Sequence, residues 1–461
     1  MKQFLRSCLL VASTIVTAVA QHQIQVDDQP KFANATDSAT YVALNEKLRA
    51  AFSGNRTEQG EVDSLFTLLR VLREKSVGTI RIFARTPSFT TLDQLRASSS
   101  PGEIKHLALE GKHLKKVPPE LFRCTNLEAL ELVNTRIKRM PRQLKQLIKL
   151  QSLWIVNNTP RGATKLGTSY SVKTLGLRGN DPRHLPTSYR RYPQLEKLDA
   201  SACRLTSFPK GIDKAVRLKE LMLANNEITL SRGTVVGHLT LEKLELQRNK
   251  IERVPADIAQ FPKLKRLTLN YNNIRDVDPA IARLQNLEQL AFYQNKLTAI
   301  PERLFALRAL KEVDFYYNQI ERLDDRVANW SNLEVLYLSN NRLVNVPESI
   351  GSLTKLNGLY LHNNRISILP ESIGKLQQLS EFRVNNNNLT QLPASLLTLA
   401  SLENLDVSNN RLSQLPPALF DFPRMKIMVL FQNPWDVETR EQLPAWAEKL
   451  RARDAVVHTG F

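Results

Sequence analysis

From Ile104 to Trp435 the chain repeats one arrangement of apolar and polar residues. Consecutive units between Leu264 and Leu343 read LKRLTLNYNNIRDV, LEQLAFYQNKLTAI, LKEVDFYYNQIERL and LEVLYLSNNRL. Apolar residues fill the first, fourth and sixth positions, asparagine the ninth, and an apolar residue the eleventh. Alternation at positions four to six predicts a short strand, whose successive side chains point to opposite faces. The ninth position falls on Lys112, Thr135, Asn158, Asn180, Cys203, Asn226, Asn249, Asn272, Asn295, Asn318, Asn341, Asn364, Asn387, Asn410 and Asn433. Every step is 23 residues except the 22 from Asn158 to Asn180. Fifteen units held in register predict a solenoid, because each unit buries its apolar side only against its neighbours.

The pattern over Ile104 to Trp435 resembles the leucine-rich repeat family. Units with Leu-Pro on the return side are similar to repeats of Ras-pathway scaffolds and plant intracellular Ras-group proteins. The lead-in FTTLDQLRASSSPGEIKHLALEG resembles exported bacterial members. The resemblance implies an α/β solenoid, a horseshoe with a parallel β-sheet on its concave face.

The residues point the same way. A ninth-position asparagine carries both a donor and an acceptor. In the turn after each strand it can satisfy backbone groups that have left the sheet. This predicts a ladder through Asn226, Asn249, Asn272, Asn295, Asn318, Asn341, Asn364, Asn387 and Asn410. Proline recurs on the return side at Pro118, Pro141, Pro186, Pro209, Pro255, Pro301, Pro347, Pro370, Pro393 and Pro416, where no ladder donor is needed. The segments after Asn158 and Asn226 lack Leu-Pro and carry extra glycine, which predicts irregular return loops.

Ahead of the array, helical periodicity runs over residues 38–52 and 62–74, a strand pattern over 79–83 and a helical turn over 91–97. This 21–103 region is expected to form a helical cap on the first repeat, and a helical pattern in 436–461, with Leu443, Trp446, Ala447 and Leu450 on one face, a second cap. Residues 1–20 read as a secretory signal peptide: Lys2 and Arg6, an apolar run from Cys8 to Ala20, and a small-x-small end at Ala18–Ala20. That run is shorter than the roughly 20 residues of a membrane span. The mature chain is therefore expected to be exported, with no transmembrane segment.

Export raises the question of disulfides. Cys124 falls in the first array unit and Cys203 in the fifth. Four strand spacings separate them by about 19 Å, and a disulfide needs Cα atoms within roughly 7 Å. Two free, buried thiols are expected. No metal-ligand spacing, phosphate loop or nucleophile–histidine–acid grouping is present, so neither cofactor nor catalysis is expected.

Positions flanking the strand leucines form the concave surface, which reads as three zones. The first is mixed, with Glu131, Trp154 and Arg178. The second is charged, with Lys197, Asp199, Glu220, Lys243, Glu245, Arg248 and Arg266. The third is aromatic: Tyr271, Tyr293, Tyr316, Tyr317, Tyr337, Tyr360 and His362, bordered by Glu312, Asp314 and Arg383. Tyrosine combines a large rigid contact area with a hydroxyl, which suits protein or glycan ligands. It also favours strands, so a structural ladder is the alternative.

Charge narrows the partner. The chain carries +19, yet its concave positions hold six basic and nine acidic residues. The basic excess lies elsewhere, as in Arg136, Lys138, Arg139, Arg142, Lys145 and Lys149. This excludes nucleic acid as the expected concave ligand. A protein ligand is expected on this face. An envelope glycan, or a structural envelope role through the basic convex face, is the alternative. Asn34, Asn55 and Asn388 head glycosylation triplets, a motif common by chance.

Overall fold

The computed structural model describes residues 90–158, 166–231 and 233–460, all within one compact unit, Thr90–Phe461. The signal peptide, the helical patterns at 38–52 and 62–74 and the strand pattern at 79–83 lie outside the described residues. So does most of the return loop after Asn158.

Sixteen strands form one parallel sheet in which neighbours follow chain order, apart from a small two-stranded pair on the return side. The first three strands, His106–Glu110, Ala129–Val133 and Ser152–Val156, have five residues each. The following ones have three, such as Arg266–Thr268, Gln289–Ala291, Glu312–Asp314, Val335–Tyr337, Gly358–Tyr360 and Glu381–Arg383. Register advances by one repeat per strand, so Leu267 pairs with Leu290 and Leu290 with Val313. Leu264, Leu267, Leu269 and Ile274 are each fully buried, and their equivalents continue one core along the array.

The asparagine ladder forms. Asn318 donates from Nδ2 to the carbonyls of Phe292 (2.9 Å) and Phe315 (3.0 Å), and its Oδ1 accepts from the Leu297 amide at 3.0 Å. Each such residue ties together two repeats through backbone groups that the strand has left behind. The same donor pair recurs at Asn226, Asn249, Asn272, Asn295, Asn341, Asn364, Asn387, Asn410 and Asn433. Cys203 stands in with its Sγ 3.1 Å from the Leu177 carbonyl. Thr135 donates instead to Asn158 Oδ1 at 2.7 Å. Cys124 and Cys203 are buried and unpaired.

On the return side, short 3-10 turns follow Pro118, Pro141, Pro255, Pro301, Pro347, Pro370, Pro393 and Pro416. Asp278 and Asp324 take that place in two units, and each side chain accepts the amide two residues on. The unit after Asn226 has no such turn among its described residues. There the buried His238 instead bonds through Nε2 to the Ala215 carbonyl at 2.8 Å.

Helix Leu92–Ala97 carries a capping box between Thr91 and Gln94 and buries Leu95. At the other end, helix Val437–Arg451 starts at Asp436, whose side chain accepts from the Thr439 amide, and buries Leu443, Ala447 and Leu450. A sixteenth strand, Val456–His458, then pairs with Ile427–Val429. The sequence reading ended this region with a helix. Three residues with valine at two of them carry no periodicity long enough to register as a strand.

Candidate functional site

The strand side chains alternate between core and an open face. Core positions four and six are buried, and positions three and five are partly exposed, as in the pattern of Glu312–Asp314 and Val335–Tyr337. Position seven follows the strand on the same face. Position eight turns the chain with a left-handed φ, including Asn225, Arg248, Tyr271, Gln294, Tyr317, Asn340 and Asn363, all between 53° and 57°.

This register divides the expected aromatic strip in two. Tyr293, Tyr316 and His362 occupy position seven, and Tyr271 and Tyr317 occupy position eight. The Tyr271 and Tyr293 rings meet edge to face at 4.8 Å, Tyr293 and Tyr316 stack at 5.3 Å, and Tyr316 and Tyr317 tilt together at 4.5 Å. Tyr293 lies among these rings and is only 5% exposed, so it is a platform, whereas Tyr317 is 36% exposed. Arg248 sits over the Tyr271 ring at 4.1 Å, a cation–π arrangement. The cluster reaches His362, two repeats on, at 5.7 Å from Tyr316. The residue between them at position seven is Ser339, small and buried, whose Oγ lies 2.8 Å from His362 Nδ1.

Tyr337 and Tyr360 form the second group, two positions earlier along their strands. Their rings stack at 4.7 Å. Gly358 leaves room beside this stack: a Cβ there would stand tightly, 3.1 Å from Tyr360 Cε2 and 3.3 Å from Val335 Cγ1. Arg383 approaches the Tyr360 ring at 5.9 Å and Glu381 at 3.8 Å. Ser339 and Gly358 were not among the residues singled out from sequence. Their signal is smallness in rows otherwise filled by longer side chains.

Carboxylates frame both groups. Gln289 donates to Glu312 Oε2 at 2.9 Å and accepts from Arg266. Asp314 Oδ1 accepts from the Tyr316 amide at 2.8 Å, which fixes the tyrosine backbone. Burial raises Glu312 above the usual carboxylate range against the pull of Arg266. Burial likewise raises Glu381 and Asp406, opposed respectively by Arg383 and by bonds from Ser408. The Tyr360 phenol is pushed up to about 12, first by burial and then by Glu381. Tyr337 also moves up by burial. His362 is held down to about 3 by burial and by Arg383. Tyr337 and Tyr360 therefore stay neutral, as donors and acceptors, across the ordinary pH range.

The charged zone is neutralised internally. Lys197 pairs with Glu220 at 3.1 Å, Lys243 with Glu245 at 2.7 Å, and Arg178 lies 4.0 Å from Asp199. In the mixed zone Trp154 is 2% exposed. Its ring occupies the place that a Cβ on Gly176 would need, 1.7 Å from Cε3, so it packs on the sheet instead of presenting a contact. Among the described residues no group of His, Cys, Asp and Glu is arranged to hold a metal ion, and no helix is long and apolar enough to cross a membrane.

Two family profiles match, one described as "Leucine-rich repeat region" over residues 325–452 and the other as "Leucine rich repeat" over 216–274, 239–292 and 262–320. This chain belongs to the leucine-rich repeat family. Among solved structures, this leucine-rich repeat protein is similar to one from Leptospira interrogans, at 25% identity and a TM-score of 0.62, covering 81% of this chain and 99% of that one. An internalin of Listeria monocytogenes shares 20% identity with a TM-score of 0.53, over 89% and 99% of the two chains. A plant peptide hormone receptor, solved in complex with RGF2, shares 21% identity with a TM-score of 0.53, over 72% of this chain and 64% of the receptor. No curated protein sequence matches the chain.

Proposed function

We propose that this leucine-rich repeat protein is an exported, non-enzymatic binding module whose protein ligand rests on the open, concave face, against Tyr271, Tyr316, Tyr317, Tyr337 and Tyr360. One observation carries this reading. Tyr271 and Tyr317 occupy the left-handed turn position with φ of 55°, where most other repeats place asparagine, at Asn134, Asn157, Asn225, Asn340, Asn363, Asn386 and Asn409, and others Ala202, Arg248, Gln294 and Gln432. A left-handed backbone costs a side chain with a Cβ roughly 1–2 kcal/mol, and asparagine tolerates it better than tyrosine. A tyrosine kept where asparagine suits the backbone fits a demand from outside the fold. The acidic frame of Glu312, Asp314 and Glu381, with Arg383, adds polar partners for a protein surface.

The test exploits this placement. The double variant Tyr271→Asn, Tyr317→Asn is expected to melt at the same temperature as the parent or slightly higher. It is also expected to lose the partners that the parent captures by cross-linking in the cells that produce it. Retention of the same partners sinks the proposal. A clear fall in melting temperature sinks it too, since the tyrosines would then be holding the sheet together.

A further inference from the structure

A different surface carries its own information. Two residues before the leading apolar residue of each repeat, the chain turns from its return side into the strand. In six consecutive repeats this position is apolar and exposed. Ile148 is 74% exposed, Tyr170 65%, Val216 66% and Leu239 74%, with the exposed prolines Pro193 and Pro262 completing the row. In the next five repeats the same position holds Gln285, Arg308, Ser331, Thr354 and Gln377. The six stand side by side. Thr240 Oγ1 reaches back to the Val216 carbonyl (3.3 Å) and Arg217 to Gln194 Oε1 (2.5 Å), each bond linking neighbouring repeats at this edge. At one strand spacing per repeat the row is about 24 Å long. Contiguous exposed apolar rows of this kind mark contact surfaces, whereas scattered ones do not.

The charges beside the row say what it contacts. The second position of these six repeats holds Gln151, Lys173, Glu196, Lys219, Glu242 and Lys265, alternating in sign from Lys173 on. Reversed, the four central residues read Glu, Lys, Glu, Lys. Laid against itself in opposite direction, the series sets Lys173 against Glu242 and Lys219 against Glu196, with Lys265 against the neutral Gln151. The same reversal is a two-fold rotation about an axis between Pro193 and Val216, and it also matches the apolar row to itself. Ile148 then faces Pro262 of the second copy, Tyr170 faces Leu239, and Pro193 faces Val216. A hollow of about 400 Å³ opens between Ile148 and Tyr170, lined also by Gln151, Ser171 and Gln194 and rimmed by the charged Glu128, Lys149 and Lys173. It stands opposite the protruding Leu239 of the second copy. Lys149 and Lys263, both exposed, meet at the two ends, on the rim where solvent screens them.

We infer that this chain forms a two-fold homodimer through the edge from Ile148 to Pro262. A closed two-fold interface uses one patch on both copies and must be self-complementary, and this row satisfies that in both shape and charge. The open face of the sheet stays free in such a pair.

Sedimentation velocity of the purified protein tests it. The parent is expected at twice the mass of one chain. Tyr170→Glu, which disrupts two symmetric contacts at once, is expected at the monomer mass with an unchanged melting curve. Geometry is tested by mixing Ile148→Cys protein with Pro262→Cys protein under mild oxidation. Among the described residues the native thiols, Cys124 and Cys203, are buried. A covalent dimer is expected from the mixture and not from either variant alone. A parent that sediments as monomer at every concentration overturns the inference. So does a Tyr170→Glu protein that remains dimeric, or cross-linking by one variant alone to the same extent as the mixture.

Discussion

His362 shows how a single side chain carries consequences that its row in the repeat does not announce. Its ring is partly exposed, but its Nδ1 is tied to Ser339 and its pKa is held down to about 3. The unfolded chain takes up that proton near its ordinary value of 6.5. Between those values the unfolded state binds more protons, so stability is complete above about pH 6.5 and drains away as pH falls. His362→Asn is therefore expected to lose less stability than the parent between about pH 7 and pH 5. The difference should be about 1–2 kcal/mol in chemical denaturation at the two pH values. Protonation of Glu312, Glu381 and Asp406 works in the opposite sense, since their folded values are raised, and is common to both proteins. The tyrosines around His362 were legible from register alone. The role of Ser339 and Gly358 was not, because periodicity places a ring on a face without saying which way along the sheet it leans. Trp154 and Tyr293 are more buried than register alone suggests for the same reason: neighbouring rings, or a neighbouring glycine, decide whether an open-face aromatic reaches solvent.

At the scale of the element, the repeat is a strand, an asparagine turn and a return segment. The first two were readable because each depends on residue types at fixed spacing. The return side was readable only as proline punctuation. Its 3-10 turns are three to five residues long and leave no period of their own. Aspartate replaces proline at Asp278 and Asp324 by bonding an amide two residues on, a substitution in mechanism that no leucine-proline template contains. Replacing Asn318 with alanine strips partners from the Leu297 amide and from the carbonyls of Phe292 and Phe315. The expected loss is about 2–3 kcal/mol, near the upper end for groups left buried and unpaired. Asn433, partly exposed in the last such turn, should cost less when changed to alanine, because water can replace what is lost. Denaturant midpoints of the two variants make the comparison.

Along the array, opposite signs alternate over many repeats at the second position. Lys219 pairs with Glu196 at 3.1 Å, Lys265 with Glu242 at 2.9 Å and Lys311 with Glu288 at 2.7 Å. The first repeats keep it there, with Lys105 3.3 Å from Glu128, but not in the turns after their strands. The Arg136 amide donates to the Leu114 carbonyl at 2.8 Å, so the turns holding Lys115 and Lys116 adjoin those holding Lys138 and Arg139, all four exposed. Like charges at this spacing repel, and salt screens them within about 10 Å at ordinary ionic strength. Moderate salt is expected to raise the melting temperature of the parent. Lys138→Glu should raise it at low salt and lose that advantage as salt is added. Net charge announced a basic protein, but only the register showed that its basic excess avoids the tyrosine-bearing face.

The cysteine in the asparagine ladder gives the array a clock. Only a thiolate attacks an alkylating reagent, and burial pushes Cys203 up to about 12, so its reaction waits for the fifth repeat to part from its neighbours. Cys124, also raised by burial, keeps the same time for the first. With reagent in excess, the two alkylation rates read the opening frequencies of an end and an interior repeat in the unmodified chain, without any label being engineered. The ratio of those rates measures how far fraying travels inward before the solenoid unfolds as a whole.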